Sequence, residues 1–282
     1  MNPLRSLIHA TAGNDTIRRF LRTSPGTRSI VERFVAGENI ADAVTAAGRL
    51  IDDGLYVTFD YLGERTRAER QAEHAVWTYL ELLDRLHDEG LSMRAEVSLN
   101  LPAIGLRLDD RLALDNAWRI CAAAEKSGAT ATLDVADYTI VDELRRTWPW
   151  VGAVLRADEE RAQAEAALLA VADSRVRLSR GTPSRDHDVD LNFVRCANTL
   201  LAGDGCPMFA THDPRLIAVL GERARSSGRK QGSYEYQMSY GVRPDEQRRL
   251  AGAGETVRVR VPFGEQWPRR LVASVNELVS RS

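Results

Sequence analysis

The stretch Val-Arg-Val-Arg-Val at residues 257–261, followed by Pro-Phe-Gly, is the last of a series of short runs rich in apolar and β-branched residues. A run of this kind predicts a strand. Counting it, the chain holds eight such runs, and eight strand–helix units are the number that closes a (β/α)8 barrel. The seven earlier runs lie at residues 55–59, 95–99, 129–135, 151–155, 175–179, 208–211 and 234–239.

Segments with helical periodicity lie between most of these runs. Val76, Tyr79, Leu83 and Leu86 fall on one helical stripe, and Gly90 predicts the end of that helix. A regular alternation of strand and helix indicates a parallel sheet. Further helices are predicted at 112–126, 159–172 and 191–201, with helix starts at Asp213-Pro214 and at Pro244.

The rival fold is an open, doubly wound sheet, but no glycine-rich GxGxxG turn follows the early strands. The sequence therefore predicts an α/β protein with a (β/α)8 TIM-like barrel and N-terminal helices. We expect an N-terminal helical segment at 1–52 and a catalytic barrel domain at 53–282.

Composition narrows the class of protein. The 282 residues are 44% hydrophobic and 28% charged, and a net charge of -2 gives no basic field for nucleic acid. Cys121, Cys196 and Cys206 have no zinc spacing and fit a reducing compartment. The polar, basic start does not resemble a secretory signal. We expect a cytoplasmic protein without a metal site, and peripheral membrane contact stays open.

The predicted strand ends are rich in polar residues, and in a barrel the carboxyl ends of the strands carry the chemistry. Arg177, Arg180 and Gly181 at one strand end suit a phosphate-bearing cofactor. An alternating strand with one solvent-facing arginine explains that run equally well. His212 is a candidate base, ligand or core histidine. The other polar strand-end residues are Asp60, Asn100, Asp134, Asp137, Arg156, Thr211, Asp213, Glu235, Gln237 and Arg260.

Two adjacent arginines, Arg269 and Arg270, follow the last predicted strand. A guanidinium group presents a planar fork of donors that the two oxygens of a carboxylate can accept together. The pair is therefore a candidate carboxylate clamp at the barrel mouth. The alternative is a solvated helix start or an ion pair with a nearby glutamate.

Taken together, these segments resemble the proline dehydrogenase family, over about residues 34–272. The chain resembles a divergent member of the monofunctional, FAD-dependent type. The motifs that carry the resemblance are Arg-Phe-Val-Ala-Gly-Glu at 33–38, Leu-Gly-Glu at 62–64, Val-Arg-Leu-Ser-Arg-Gly at 176–181, Phe-Ala-Thr-His-Asp at 209–213, Tyr-Glu-Tyr-Gln-Met-Ser-Tyr-Gly at 234–241 and Val-Pro-Phe-Gly at 261–264, followed by Arg-Arg-Leu at 269–271.

The resemblance implies a flavoprotein that binds FAD, removes a hydride from the ring carbon next to the nitrogen of proline, and yields 1-pyrroline-5-carboxylate. It implies that the electrons pass to a quinone. By resemblance, Asp134 is an active-site aspartate, and Arg269 and Arg270 grip the substrate carboxylate. The residues that would lie along the flavin, its ribityl chain and its phosphates are Arg156, Arg177, Arg180, Gly181, Thr211 and His212.

Departures from the family pattern cluster in the expected site. A family lysine is Asn100, a glutamine is Arg156, a leucine is Ser239, the eighth-strand tyrosine is Arg260, and a glutamate after the arginine pair is Ala273. The aromatic stretch before the arginine pair is shortened to Pro268. By this count the site gains two positive charges, which repel unless they are compensated.

Three hypotheses follow from these departures. New partners such as Asp134 pair with the added arginines and the substrate is proline. Alternatively, a flavoenzyme of the same fold acts on a more anionic imino or amino acid. A catalytically silent, ligand-binding barrel is the third possibility. We place a proline dehydrogenase-like oxidoreductase first.

Overall fold

The structure, a computed structural model, describes residues 33–63, 66–134, 138–181 and 187–265. Its strands pair in parallel and in chain order, and the last pairs with the first, so the sheet closes into a barrel. This confirms the predicted (β/α)8 fold. The strands are β1 (Tyr56–Tyr61), β2 (Ala95–Asn100), β3 (Thr130–Asp134), β4 (Gly152–Arg156), β5 (Arg175–Ser179), β6 (Cys206–Ala210), β7 (Glu235–Ser239) and β8 (Val257–Phe263).

Helices separate the strands and cover the outside of the barrel. A single 3₁₀ turn, Ser92–Arg94, precedes β2. The helices are α1 (Ile40–Asp52), α2 (Glu69–Asp88), α3 (Asp110–Ser127), α4 (Thr139–Arg145), α5 (Ala162–Leu169), α6 (His187–Ala202), α7 (Pro214–Ser226) and α8 (Pro244–Gly252).

Three helices differ from the sequence prediction by three residues or more. Helix α6 begins at His187 rather than at 191. The helix after β4 begins at Ala162 rather than at 159, because residues 157–161 form the turns that leave the strand. Helix α4 was not predicted, since seven residues are too few to establish a helical period.

Helix α1 packs against β1 and β8, where a regular barrel would hold the helix that follows its last strand. Asn39 caps its start, with the side-chain oxygen accepting a hydrogen bond from the backbone N–H of Asp42 at 2.8 Å. Val44 and Ala47 are buried on its inner face, as the helical spacing predicts. The division between an N-terminal helical segment at 1–52 and a barrel domain at 53–282 stays a prediction.

Alternation along the strands sends apolar side chains outward and polar ones into the barrel. Val57, Phe59, Val97 and Leu99 are fully buried among the apolar residues of the core. Arg177 on β5 instead reaches side chains on β1 and β2, which do not neighbour β5 in the sheet, so it crosses the barrel interior. The alternation of valine and arginine along β8 has the same cause, because its arginines face the barrel interior and its valines face the helices.

Candidate active site

The carboxyl ends of β3 and β4 bring Asp134 and Arg156 to the barrel mouth. Asp134 is exposed at the last position of β3 and pairs in register with Asn100, which ends β2. Arg156 ends β4 and donates to Asp158 from Nε at 3.2 Å and from Nη2 at 3.0 Å. The hydrogen bond to Asp158 raises the pKa of Arg156, and the negative charge of Asp134 contributes in the same direction.

Gly181 follows β5 and contacts the same carboxylate. Its backbone has a φ of +83°, and a Cβ at this position would overlap the Asp158 side chain. Glycine alone satisfies both requirements. Arg156 and Gly181, both predicted to lie at the cofactor, are therefore joined through Asp158.

Arg180 lies between β5 and α6 and is mostly buried. Its Nε lies 2.7 Å from Asp190 Oδ1, in the first turn of α6. The same aspartate lies 3.9 Å from the exposed Arg215 at the start of α7. These contacts place a cationic side chain beside the N-termini of two helices, whose free N–H groups favour anions.

Thr211 and His212 follow β6. The Thr211 backbone N–H donates to the carbonyl of Gln237 at 3.2 Å, and its hydroxyl accepts from the Asp213 backbone N–H at 3.2 Å. The His212 ring Nε2 lies 3.2 Å from the Ser239 hydroxyl, and the His212 carbonyl accepts from Arg243 at 2.9 Å. Ser239, at the position where the resemblance leads us to expect a leucine, thus contacts a predicted flavin residue.

Arg177 lies deeper than the other predicted cofactor residues and is 2% exposed. Its Nη2 donates to Glu96 Oε1 at 2.5 Å and to the Thr58 hydroxyl at 3.2 Å. Its Nη1 donates to the Ser98 hydroxyl at 2.8 Å. Burial lowers the pKa of Arg177, while the charge of Glu96 opposes that shift.

The floor of the barrel is a network of buried ions. Arg258 donates to Glu235 from Nε at 2.8 Å and from Nη2 at 3.1 Å, and Arg175 donates to Glu96 at 2.8 Å. Burial by itself would raise the pKa of both carboxyl groups. The surrounding arginines, with Arg258 the largest contributor, instead hold both pKa values below the ordinary value for glutamate.

Arg260, at the position where the resemblance leads us to expect a tyrosine, faces Asp60 across the β1–β8 edge. Its Nη2 donates to Asp60 Oδ2 at 2.6 Å. Together with the pairing of Arg156 to Asp158, this contact gives each of the two added arginines a direct acidic partner. Asp134, the suggested partner, lies within electrostatic range of Arg156 and helps to raise the pKa of that arginine.

A cleft of about 350 Å³ opens beside the carboxyl end of β1, outside the barrel interior. It lies between the end of β1 and the first turns of α2, next to the predicted Leu-Gly-Glu motif. Its lining residues are Tyr61, Gly63, Arg70, Gln71, His74, Ala75 and Glu265.

Arg269, Arg270 and Ala273 lie outside the described residues, so the predicted clamp stays a prediction. Of the residues that the structure does describe, no group of three or more His, Cys, Asp or Glu side chains could hold a metal ion. Helices long and apolar enough to cross a membrane are likewise absent from the described ranges.

Three acidic residues of the site were not predicted from the sequence. They are Glu96, Asp158 and Asp190, each of which holds an arginine of the site. A signal for Glu96 was present, because it occupies the inward register of β2 together with Ser98. Asp158 and Asp190 lie in a turn and a helix start, where acidic residues are too common to indicate a partner.

Several known proteins similar to this chain are named proline dehydrogenase. Proline dehydrogenase 1 of Bacillus subtilis (strain 168) is 30% identical over 279 residues, which cover 94% of this chain and 91% of the relative. The proline dehydrogenase of Deinococcus radiodurans is 32% identical over 260 residues, covering 85% and 83%. No protein-family model matches the chain.

Among solved structures, proline utilization A of Bdellovibrio bacteriovorus inactivated by N-propargylglycine superposes with a TM-score of 0.84 at 19% identity. The match covers 96% of this chain and 36% of that protein, so this chain spans about a third of its length. The superposition supports the barrel fold. Since identity reaches 30% or more over most of the named relatives, this chain belongs to the proline dehydrogenase family, as its motifs predict.

Proposed function

We propose that this protein is a flavin-dependent proline dehydrogenase that oxidises L-proline to 1-pyrroline-5-carboxylate. The observation that carries the proposal is its similarity to proteins named proline dehydrogenase along almost its entire length. The barrel mouth, lined with arginine, threonine and histidine side chains, supports it.

Residues at the mouth and in the barrel interior fit FAD. Arg177 Nε and Gln237 Oε1 are buried polar atoms for which the described residues supply no hydrogen-bond partner. A ring system with both donors and acceptors, such as a flavin, would satisfy them. Arg180 and the N-termini of α6 and α7 would suit its negatively charged phosphates.

FAD, when bound, supplies the hydride acceptor for the carbon next to the ring nitrogen of proline. Arg177 would offer its remaining donor, Nε, to that group from the barrel interior, and Thr211 and His212 would line the group at the end of β6. Arg156, held by Asp158, closes the neighbouring edge. The substrate must also be oriented against the cofactor, and a different pair of residues is proposed for that role.

Arg269 and Arg270 are the proposed carboxylate clamp. Arg269 follows Gly264 by five residues, and five fully extended residues span at most about 18 Å. That reach includes the barrel mouth. Holding the carboxylate would orient the reacting carbon, and such positioning supplies several kcal/mol of a barrier.

The charge balance favours proline over a more anionic substrate. Each arginine that the family pattern lacks, Arg156 and Arg260, is paired locally with an acid. The additional positive charge is therefore compensated within the protein. A second anionic group on the substrate would find no surplus charge at either arginine.

The electron acceptor proposed is a quinone, reached by peripheral contact with a membrane. A cytoplasmic location is part of the same proposal. Steady-state assays with a water-soluble quinone, with and without vesicles that carry a lipid-soluble quinone, measure the acceptor directly.

The visible spectrum of the purified protein tests the proposed cofactor. We expect a yellow protein, or one that turns yellow with added FAD, and anaerobic addition of L-proline should bleach it. A protein that takes up no FAD would contradict the flavoenzyme, whereas a yellow protein that proline does not bleach would contradict proline as substrate.

Arg270→Met tests the clamp, because methionine keeps much of the side-chain length and removes the charge. We expect proline-dependent bleaching to slow by at least about 100-fold, with FAD binding unchanged. Arg225→Met is the matched control, since Arg225 lies near the C-terminal end of α7, at the opposite face of the barrel, and pairs with Glu222. Normal bleaching in Arg270→Met would remove the clamp role.

A further inference from the structure

We infer that Glu96 is a positioning residue for the flavin site, which holds the Arg177 guanidinium in place and offsets its charge beneath the cofactor. The inference rests on the proposed flavin site. It concerns a residue that contacts the cofactor only through another side chain.

Three contacts fix Arg177, and Glu96 supplies the charged one. The carboxylate accepts from Arg177 Nη2 at 2.5 Å, while Thr58 and Ser98 accept through neutral hydroxyls. Both Glu96 and Arg177 are almost completely buried, at 0% and 2% exposed. Hydrogen bonds between buried charged groups are shorter and stronger than neutral ones, so Glu96 dominates the placement of Arg177.

These three contacts involve the two terminal nitrogens of the guanidinium, Nη1 and Nη2, and leave its Nε without a hydrogen-bond partner among the described residues. No described residue accepts a hydrogen bond from Arg177 Nε, although the atom is buried. An unpaired buried N–H is costly unless a ligand satisfies it. Glu96 therefore holds the guanidinium so that one donor stays available to a bound group.

The Glu96 carboxylate is shared between two arginines, and this sharing sets the net charge of the barrel interior. Glu96 also accepts from Arg175 at 2.8 Å, and Glu235 pairs with Arg258. Among the described residues of this network, three guanidinium groups share two carboxylates. One positive charge is thus left over, and removal of the Glu96 charge would double the excess.

A purely structural role does not require this arrangement. Burying an ion pair costs desolvation of both groups, and apolar residues of similar volume commonly replace such pairs without loss of stability. An ion network directly below a cofactor is instead a means of setting the field that acts on it. The two-electron-reduced flavin is anionic near neutral pH, so excess positive charge favours the reduced form.

Glu96→Gln tests the inference, because the amide keeps an oxygen for Arg177 but removes the charge. We expect the ratio of reduced-flavin to oxidised-flavin affinity to rise about tenfold, equal to about 30 mV in the midpoint potential of a two-electron couple. The measurements are the FAD dissociation constant, from flavin fluorescence, and the midpoint potential, from equilibration with a reference dye.

Glu235→Gln is the matched control. Glu235 is 2% exposed and also forms a buried ion pair, but its partners are Arg258 and Gln237 rather than Arg177. We expect a loss of thermal stability similar to that in Glu96→Gln, with a change in midpoint potential at least threefold smaller. Equal potential shifts in the two variants would overturn the positioning role and leave only a general effect of charge.

Two further outcomes separate the proposals. If the parent protein binds no FAD, the proposed function fails first. If the parent binds FAD and folded Glu96→Gln keeps its FAD affinity and midpoint potential, the inference about Glu96 is wrong and the proposed function stands.

Should Glu96→Gln fail to fold, a second variant, Glu96→Asp, retains the charge but shortens the side chain. We expect Glu96→Asp to weaken FAD binding at least threefold, and unchanged binding would also overturn the inference.

Discussion

At the scale of single residues, the mouth of the barrel depends on how acids and arginines are matched. The Asp158 carboxylate lies against Gly181 and receives two hydrogen bonds from Arg156. Arg260 is held in the same way by Asp60. These local pairs explain how a site with added arginines keeps its charge balance.

Replacing Gly181 with alanine should disturb this arrangement. Its φ of +83° disfavours a side chain, and the new methyl group would overlap Asp158. We expect a loss of about 1–3 kcal/mol in the free energy of unfolding, with weaker FAD binding because Asp158 must move away from Arg156. Urea denaturation and FAD titration measure the two effects.

The control for this change is Gly228→Ala. Gly228 also has a positive φ, of +69°, but a Cβ there would meet open space. We expect a cost of about 1 kcal/mol from the backbone alone and normal FAD affinity. If both variants bind FAD equally well, the contact between Gly181 and Asp158 has no part in the site.

At the scale of elements, the strands alternate between a polar interior and an apolar exterior, and α1, α3 and α7 begin at amide or acidic caps. Asp109 caps α3 by accepting from the Leu112 backbone N–H at 2.8 Å, and Asp213 caps α7 by accepting from the Arg215 backbone N–H at 2.8 Å. Caps fix where each helix leaves its loop. The loops at the mouth are thereby held in register with the strand ends.

Asp109→Ala should destabilise the protein by about 1 kcal/mol, because the cap hydrogen bond to α3 is lost. For a chain of this length, that is a fall in melting temperature of roughly 2–4 °C. Asp110→Ala, at the next position, is the control and removes a charge in the first turn without removing the cap. Equal melting temperatures for the two variants would contradict the capping role, and differential scanning calorimetry gives the comparison.

At the scale of the whole molecule, the interior of the barrel is a layered ion network rather than an apolar core. Arg177, Arg258, Glu96 and Glu235 are buried together inside the closed sheet. The apolar core lies instead between the strands and the surrounding helices. Stability and the electrostatics of the site are therefore coupled through the same carboxylates.

This coupling predicts how stability depends on pH. The pKa values of Glu96 and Glu235 are held below their ordinary range in the folded protein. At low pH the unfolded chain therefore binds more protons than the folded one, so stability rises with pH there. The contribution is complete above the ordinary glutamate pKa of about 4.3 and is lost as the pH falls further toward the folded values.

Urea denaturation between pH 3 and 7 measures this dependence. In the unsubstituted parent protein, we expect the free energy of unfolding to decrease once the pH is lowered below about 4.5. Glu235→Gln should be less stable at neutral pH but flatter across the acidic range. A parent curve that is level to pH 3, or a variant as steep as the parent, would contradict the role of the buried carboxylates.

Much of the fold follows from local sequence. The β-branched runs predicted all eight strands within two residues at most ends, since each strand has enough residues to establish its period. Helix α4 was too short for such a period and was missed. The strand-end position of Asp134, Arg156 and Thr211 was predictable for the same reason, because strand order in a barrel follows chain order.

The partners of the site arginines depend on tertiary structure. Arg177 and Glu96 are 81 residues apart, and Arg260 and Asp60 are 200 apart. No local pattern encodes such pairs, because they form only when the sheet closes and brings strands together across and around the barrel. The sequence by itself determined the barrel, the family and the set of polar strand ends. Closure of the barrel decided which charges meet, and through that decided how much positive charge is left to act on a ligand.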